Sequence, residues 1–312
     1  MKRFVLVGSG WRSLFYARLA ERHPEEFQLN GWMIHSPEKQ EQYRAVHNTF
    51  ISGEMDAVLR QPHDLVVLSM PDLLNKEYLL ELAKRDEDIL TETSFLKQPE
   101  EELRDIARQT KGHTIEVAEQ YHLLPYHLFV RSIVPKLGPI TECTVASCHF
   151  HHAVSLLRGY LGAGFSPCSI EARSEKRFIT ETGSRYGYTA QGTRKEIERT
   201  LAILHYPGCG TGYYDFTGEE YHSTILTGHF ALRGERGEVF DREARYLDEN
   251  GLTVAEHIDG SMDDLEAIAS CLRIFGNGYT LRDGLWDALT GQAIKRAAQE
   301  KKPVIFAENG LV

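Results

Sequence analysis

Cysteine is scarce in this 312-residue chain, and its Lys and Arg are scattered rather than gathered into a basic face. The five cysteines (Cys143, Cys148, Cys168, Cys209, Cys271) are odd in number and contain no C-x-x-C pair. A disulfide framework or zinc ribbon is therefore not expected, and a reducing cytoplasm is the default location. Basic residues are outnumbered, 35 Lys and Arg against 45 Asp and Glu, leaving a formal charge of −10. That argues against a general nucleic-acid binder, which needs a concentrated basic face to neutralise phosphates. Apolar runs such as Leu65 to Leu68 are far too short to span a bilayer, so no membrane partner is expected. Met1 to Val7 passes straight into a strand-like run, and no signal peptide is expected. Internal repeats and low-complexity linkers are absent as well. What remains is ordinary: 42% hydrophobic and 26% charged residues match a soluble globular protein and exclude disordered, collagen-like and coiled-coil classes. The length suggests about two domains.

The first 118 residues alternate strand and helix patterns. Arg3 to Val7, Phe27 to Ile34, Asp64 to Ser69, Asp88 to Thr91 and Thr114 to Ala118 read as strands. Between them lie helical stretches, among them Trp11 to Arg22, with Leu14, Phe15, Ala17 and Leu19 on one side, and Pro99 to Thr110. Such alternation implies right-handed βαβ crossovers and a parallel sheet. After Ala118 the pattern changes. A helix over Leu123 to Leu137 is followed by β-type segments at Ile140 to Phe150, Glu171 to Thr180, Glu196 to Tyr206, Gly210 to Phe216 and Tyr221 to Leu232. Glycine-bearing turns join them, which predicts a mostly antiparallel sheet. Helices are expected over Asp263 to Phe275 and along Leu281, Leu285, Leu289, Ala293 and Ala297. The expected fold is α/β: a doubly wound parallel Rossmann domain over 1–118, then an α+β domain with an open, mostly antiparallel sheet over 119–312.

The strongest motif is Gly8-Ser9-Gly10-Trp11-Arg12-Ser13, directly after the first strand and opening a helix. In a dinucleotide loop the first glycine makes the tight turn and the second lets backbone approach a pyrophosphate. The helix N-terminus then supplies free N–H groups and partial positive charge. Ser13 stands where a third glycine or alanine is usual. An acid at the end of strand two would grip the ribose 2′-hydroxyl of NAD; the run Ile34-His35-Ser36-Pro37-Glu38-Lys39 has none there. His35, Ser36 and Lys39 suit a 2′-phosphate, which tilts the expectation slightly from NAD toward NADP, with Glu38 leaving the NAD reading open.

The Gly loop, Ser69-Met70-Pro71, and Ile89-Leu90-Thr91-Glu92-Thr93-Ser94 together resemble the glucose–fructose oxidoreductase/inositol dehydrogenase (Gfo/Idh/MocA) family. Ala118 to Pro125 resembles the segment that opens that family's second domain, and Leu232 to Val239 its G-x-x-G strand turn. The resemblance implies NAD(P)-dependent oxidation or reduction of sugars, cyclitols or related polyols, in homodimers or homotetramers packed through the C-terminal sheet. It places Ser69, Pro71, Glu92 and Thr93 on the cofactor side. Two departures stand out. Thr93 occupies the position of the family's lysine in Glu-Lys-Pro, and Ser155 that of the aspartate in H-x-x-D, while His152 is retained.

Hydride transfer from an alcohol needs a base with a pKa near working pH, and His152 is the best candidate by residue type and by position. Tyr121 and His122 follow Glu119-Gln120 where family members reach into the substrate cleft, so they are candidate partners in acid–base work. Arg158 is the cation that could lower the tyrosine's pKa. Gln120, Ser155 and Arg158 are candidate substrate contacts. The cluster Cys143, Cys148, His149, His151, His152 invites a metal reading, with His149 and His151 sharing a face if the segment is a strand. No second spaced ligand pair accompanies it, and no metal is expected. The leading expectation is an NAD(P)-dependent oxidoreductase. The alternatives are a non-catalytic dinucleotide sensor or regulatory protein, and an enzyme using bound NAD transiently for elimination or glycoside cleavage.

Overall fold

The computed structural model describes residues 1–184 and 187–307, and the chain packs as two compact units. The first contains Met1–Leu124 together with Met262–Leu285. It opens with β1 (Lys2–Val7), α1 (Ser13–Arg22), β2 (Phe27–Met33), α2 (Pro37–Arg44), β3 (Phe50–Ser52), α3 (Met55–Leu59), β4 (Leu65–Leu68), α4 (Asp72–Ala83), β5 (Ile89–Thr91), α5 (Glu100–Gln109) and β6 (Ile115–Val117). The strands form one parallel sheet in the order β3-β2-β1-β4-β5-β6. That is the doubly wound dinucleotide-binding order, with its switch point between β1 and β4. All four residues of β4 are buried, as a strand covered by helices on both faces must be.

The second unit contains Pro125–Ser261 and, among the described residues, 286–307. Its elements are α6 (Pro125–Leu137), β7 (Ile140–Ala146), α7 (Phe150–Leu161), β8 (Cys168–Ser184), β9 (Gly187–Tyr206), β10 (Gly210–Phe216), β11 (His229–Gly234), β12 (Gly237–Phe240), β13 (Glu243–Leu247) and β14 (Thr253–His257). The nine-stranded sheet runs β14-β13-β12-β11-β7-β10-β9-β8-β15, where β15 is Val304–Phe306. Only the β7–β10 pair is parallel. Along β13 exposed and buried residues alternate strictly, the pattern of a sheet with one covered face.

The division differs from a simple break at residue 118. Helix α8 (Asp264–Ile274) and the chain up to Leu285, inside α9 (Leu281–Glu300), return to the first unit. The cause is packing. Ile268, Ala269, Cys271 and Leu272 join Phe4, Leu6, Tyr16, Leu19, Trp32 and Leu90 in one buried cluster. Each fully buried large apolar side chain there contributes roughly 1.5–3 kcal/mol. Polar ties reinforce it: the Lys2 ammonium donates to the Leu272 carbonyl at 2.7 Å, closing the C-terminal turn of α8. Glu116, in β6, accepts from the N–H groups of Gly276 and Gly278, both at 2.9 Å.

Two local expectations change. The strand expected over Ile140 to Phe150 ends at Ala146, and Phe150–Leu161 is the helix α7. Ten of its twelve residues are buried, so it lacks the one-sided stripe by which a helix is recognised. The β-segment expected over Tyr221 to Leu232 begins only at His229, and Gly218–His222 forms a short 3₁₀ turn.

Candidate functional site

In the first unit the carboxyl ends of β1, β4, β5 and β6 bring together most of the residues expected to hold a cofactor. Gly8 follows β1 with φ +119°, and a Cβ added there would collide with the Ser69 carbonyl behind β4. Only glycine fits. Gly10 is different: a Cβ there would meet nothing within 4 Å. The protein's own packing does not require the second glycine, and the open space in front of it is what a phosphate approaching backbone needs. Helix α1 starts three residues later with no side-chain cap on its N-terminus; the Ser13 and Phe15 N–H groups turn back to the Gly10 and Arg12 carbonyls at 3.1 and 3.0 Å.

The third motif position is a serine with a partner. Ser13 is fully buried, and its hydroxyl lies 3.1 Å from the Ser69 hydroxyl and 3.3 Å from the Ser69 carbonyl. The hydroxyl that makes the helix–strand contact bulkier also bonds across it. Trp32, in β2, donates its indole N–H to the Gly8 carbonyl at 2.7 Å and so holds the loop from beneath. Trp11 is largely exposed and meets Phe15 edge-on.

After β2, the His35 ring stands 2.7 Å from the Tyr78 hydroxyl. The Ser36 hydroxyl accepts from the Lys39 N–H and caps α2, and Lys39 donates its ammonium to the Ser9 carbonyl at 3.0 Å. This corner thus presents an imidazole, a phenol and an ammonium beside the glycine loop. After β4, Pro71 sits at the N-cap position of α4. Thr91, the last residue of β5, reaches Asn75, and beyond it Ser94 donates to the Met70 carbonyl at 2.9 Å. Thr93 opens a short 3₁₀ turn over Thr93–Lys97.

Glu92 is buried beneath the loop. It accepts from the Tyr16 hydroxyl at 2.6 Å and from the Arg12 guanidinium at 3.2 Å, and Arg12 also lies 3.6 Å from Asp264. Burial alone would lower the guanidinium's pKa, but the charges of Glu92 and Asp264 outweigh it and hold Arg12 above its ordinary value. Glu119, after β6, is buried and accepts from the Tyr121 N–H at 3.3 Å. Desolvation pushes its carboxyl up to about 8, and the Glu92 charge adds to that. Gln120 is buried with no partner for its carbonyl oxygen, an orphan acceptor at the end of β6 that an amide N–H can satisfy. His122 stacks on Tyr279 at 5.4 Å. These residues fit a nicotinamide dinucleotide: the loop leaves room at Gly10, no side chain caps the start of α1, and an unpaired acceptor waits at Gln120.

The remaining candidates lie on α7 of the second unit, so the expected acid–base trio is divided, Tyr121 and His122 on the first unit and His152 on the second. His149 is the N-cap of α7 rather than a strand residue, which removes the alternating face that would pair it with His151. His151 and His152 are in ring contact, with centroids 4.0 Å apart. Among the described residues, the group whose ligand atoms lie within mutual reach of a metal is instead His23, Glu25 and Glu26. Ser155 donates its hydroxyl to the His152 carbonyl at 2.8 Å, within its own helix. Arg158 is buried against Asp287 at 2.7 Å and donates to the Gly164 carbonyl at 2.5 Å.

Sequence reasoning missed Tyr16, Trp32, Asp264 and the depth of Glu119. Tyr16 had a signal, since it falls four residues after Arg12 on the same helical side. Asp264 had none, because its partner is far away in the chain.

Comparison with solved structures agrees with this architecture. The chain shares its two-sheet fold with solved structures of oxidoreductases and dehydrogenases. An oxidoreductase from Agrobacterium radiobacter, crystallised with NAD⁺, L-tartaric acid and magnesium, superposes with a TM-score of 0.76 at 11% identity, covering 97% of this chain and 98% of that one. A myo-inositol dehydrogenase from Corynebacterium glutamicum gives 0.73 at 14% identity, covering 99% of both chains. The WlbA dehydrogenase from Bordetella pertussis, in complex with NADH and UDP-GlcNAcA, gives 0.67 at 17% identity over 99% and 98%. No family model and no curated protein sequence matches the chain.

Proposed function

We propose that the chain is an NAD(P)-dependent oxidoreductase acting by hydride transfer on a sugar, cyclitol or related polyol. The observation that carries this reading is the pair of glycines at the switch point: Gly8 is demanded by the fold, whereas Gly10 faces open space through which a pyrophosphate can approach the backbone. The neighbours that hold NAD⁺ or NADH support the cofactor class. A bound nicotinamide supplies the hydride acceptor or donor. The chain's own residues do the rest. The loop and the α1 N-terminus bind the pyrophosphate, Gln120 orients an amide, and His152 holds the hydroxyl proton, assisted by Tyr121 or His122. With His35 and Lys39 beside the loop and no carboxylate ending β2, NADP is preferred over NAD.

The unit is proposed to work as a cytoplasmic homodimer or homotetramer paired through the open sheet. Register aligns Ile203, Tyr213, Thr144, Ala231 and Phe240 in one row across it, with Ile203 and Phe240 well exposed. Among the described residues no helix is long and apolar enough to cross a membrane.

The test is a polyol and keto-sugar panel read by nicotinamide absorbance. A substrate-dependent change supports the reading. No change with any member, while the nucleotide still binds, favours a sensor, the alternative that the loss of the family's lysine at Thr93 motivates. Product formed without net NADH marks transient use of bound NAD instead.

A further inference from the structure

Helix α1 opens at the glycine loop and closes ten residues later, about 15 Å away, with His23 as its C-cap. The turn into β2 is fixed there by two backbone bonds to the His23 carbonyl, from the Glu26 N–H at 3.0 Å and the Phe27 N–H at 2.9 Å. The imidazole itself is mostly covered and meets the Phe27 ring edge-on. Three carboxylates face it from two sides. Oxygens of Glu26 and Glu25 lie 3.7 and 3.9 Å from Nδ1, and an oxygen of Glu266, on α8, lies 3.6 Å from Nε2. All three distances are too long for hydrogen bonds, and Nε2 is buried without a hydrogen-bond partner. Arg273 orients two of these acids. Its guanidinium donates to both oxygens of Glu26, at 2.6 and 2.9 Å, and to Glu266. That pairing holds the Glu26 carboxyl below its ordinary range, so it stays ionised. Three carboxylates against one bonded guanidinium leave negative charge in excess around a nitrogen donor.

We propose that His23 Nδ1, Glu25 and Glu26 bind a transition-metal dication of the zinc class, with Glu266 accepting the ring's other N–H. The ligand atoms of the three residues already lie within 4.8 Å of one another. Tetrahedral zinc sets its ligand atoms about 3.4 Å apart, so the two nitrogen–oxygen pairs need to close by roughly 0.5 Å or less. Glu25 is exposed and can swing onto the ion. Glu26 keeps a lone pair for it while accepting from Arg273. The two sides of the ring support the same assignment. A metal-bound histidine characteristically donates its opposite N–H to a carboxylate, and Nε2 faces Glu266. Metal on Nδ1 puts the proton on Nε2 and satisfies the buried nitrogen that otherwise has no partner. An imidazole with two carboxylates suits zinc and its neighbours, whereas Mg²⁺ and Ca²⁺ take oxygen ligands. The ion's role is structural. It ties the end of α1 to α8, the helix that returns to the first unit from far along the chain. Being at the opposite end of α1 from the glycine loop, it stands apart from the dinucleotide reading.

The experiment is calorimetric titration of the full chain, stripped of metal by a chelator and dialysed, with Zn²⁺ and separately with Mg²⁺. One equivalent of Zn²⁺ is expected to bind in the micromolar range or tighter, and Mg²⁺ at least about tenfold more weakly. His23→Ala is expected to weaken that equivalent at least about 100-fold, and Glu25→Ala about tenfold. Co²⁺ in place of Zn²⁺ reads the geometry: the visible absorption of a tetrahedral Co²⁺ site is expected in the wild type and lost in His23→Ala. A wild type without a micromolar Zn²⁺ equivalent overturns the proposal. So does an equivalent that survives unchanged in His23→Ala, because other histidines then hold the ion. Mg²⁺ binding as tight as Zn²⁺ removes the imidazole as a ligand and overturns it as well. Should His23→Ala fail to fold, Glu25→Ala, at an exposed position, decides: unchanged Zn²⁺ affinity there refutes the site, and the tenfold loss supports it.

Discussion

The glycine loop of the first unit and helix α7 of the second are both rich in residues that chemistry uses, yet the structure treats them in opposite ways. At the loop, side chains build a cradle and the candidate binding surface is backbone: Gly10 opens onto space and α1 begins without a side-chain cap. On α7 two of the polar candidates are taken up by the fold, Ser155 by its own helix and Arg158 by Asp287, which leaves His152 as that helix's candidate for chemistry. The contrast teaches that a polar residue at a family position is not by itself a site. What distinguishes the loop is a feature the protein's own packing does not need.

Four substitutions break or sharpen this contrast. Gly8→Ala should be the most damaging, since it forces a Cβ into the Ser69 carbonyl at a positive φ; a loss of about 3 kcal/mol or more in denaturant unfolding, or no folded protein, is expected. Arg158→Ala removes the guanidinium that pairs with the buried Asp287 carboxylate and should cost about 3–5 kcal/mol. If the variant instead retains wild-type stability and loses only turnover, Arg158 serves substrate rather than fold. His152→Ala is expected to lower turnover roughly 100- to 10,000-fold with nucleotide affinity unchanged, checked by steady-state kinetics beside calorimetry. Gly10→Ala should leave stability within about 0.5 kcal/mol while weakening nucleotide binding about tenfold, because the added methyl meets only the ligand. A Gly10→Ala protein that binds normally would remove the loop's distinction from an ordinary turn.

The parallel unit was legible because its signals are local. Short apolar strands, a glycine turn and alternating helices specify a doubly wound sheet one element at a time, and strands β1, β4, β5 and β6 fall where the sequence places them. The antiparallel unit was legible as a class but not in its boundaries, since α7 is buried nearly all round and gives no period. The return of Met262–Leu285 to the first unit was hidden, as it depends on Cys271 and Leu272 meeting Tyr16 and Leu19 across most of the chain. At the site, Gly8 to Ser13 could be named from spacing. The Arg12–Glu92–Tyr16 network could not, because ion pairs between strand ends leave no mark in the order of residues.

The most direct measurement is calorimetric titration of the folded, nucleotide-free protein with NAD⁺, NADH, NADP⁺ and NADPH. Micromolar binding of one oxidised and reduced pair, tighter for the NADP forms, is the predicted result. Failure of all four to bind would contradict the assignment of the Gly8–Ser13 loop as a working dinucleotide site.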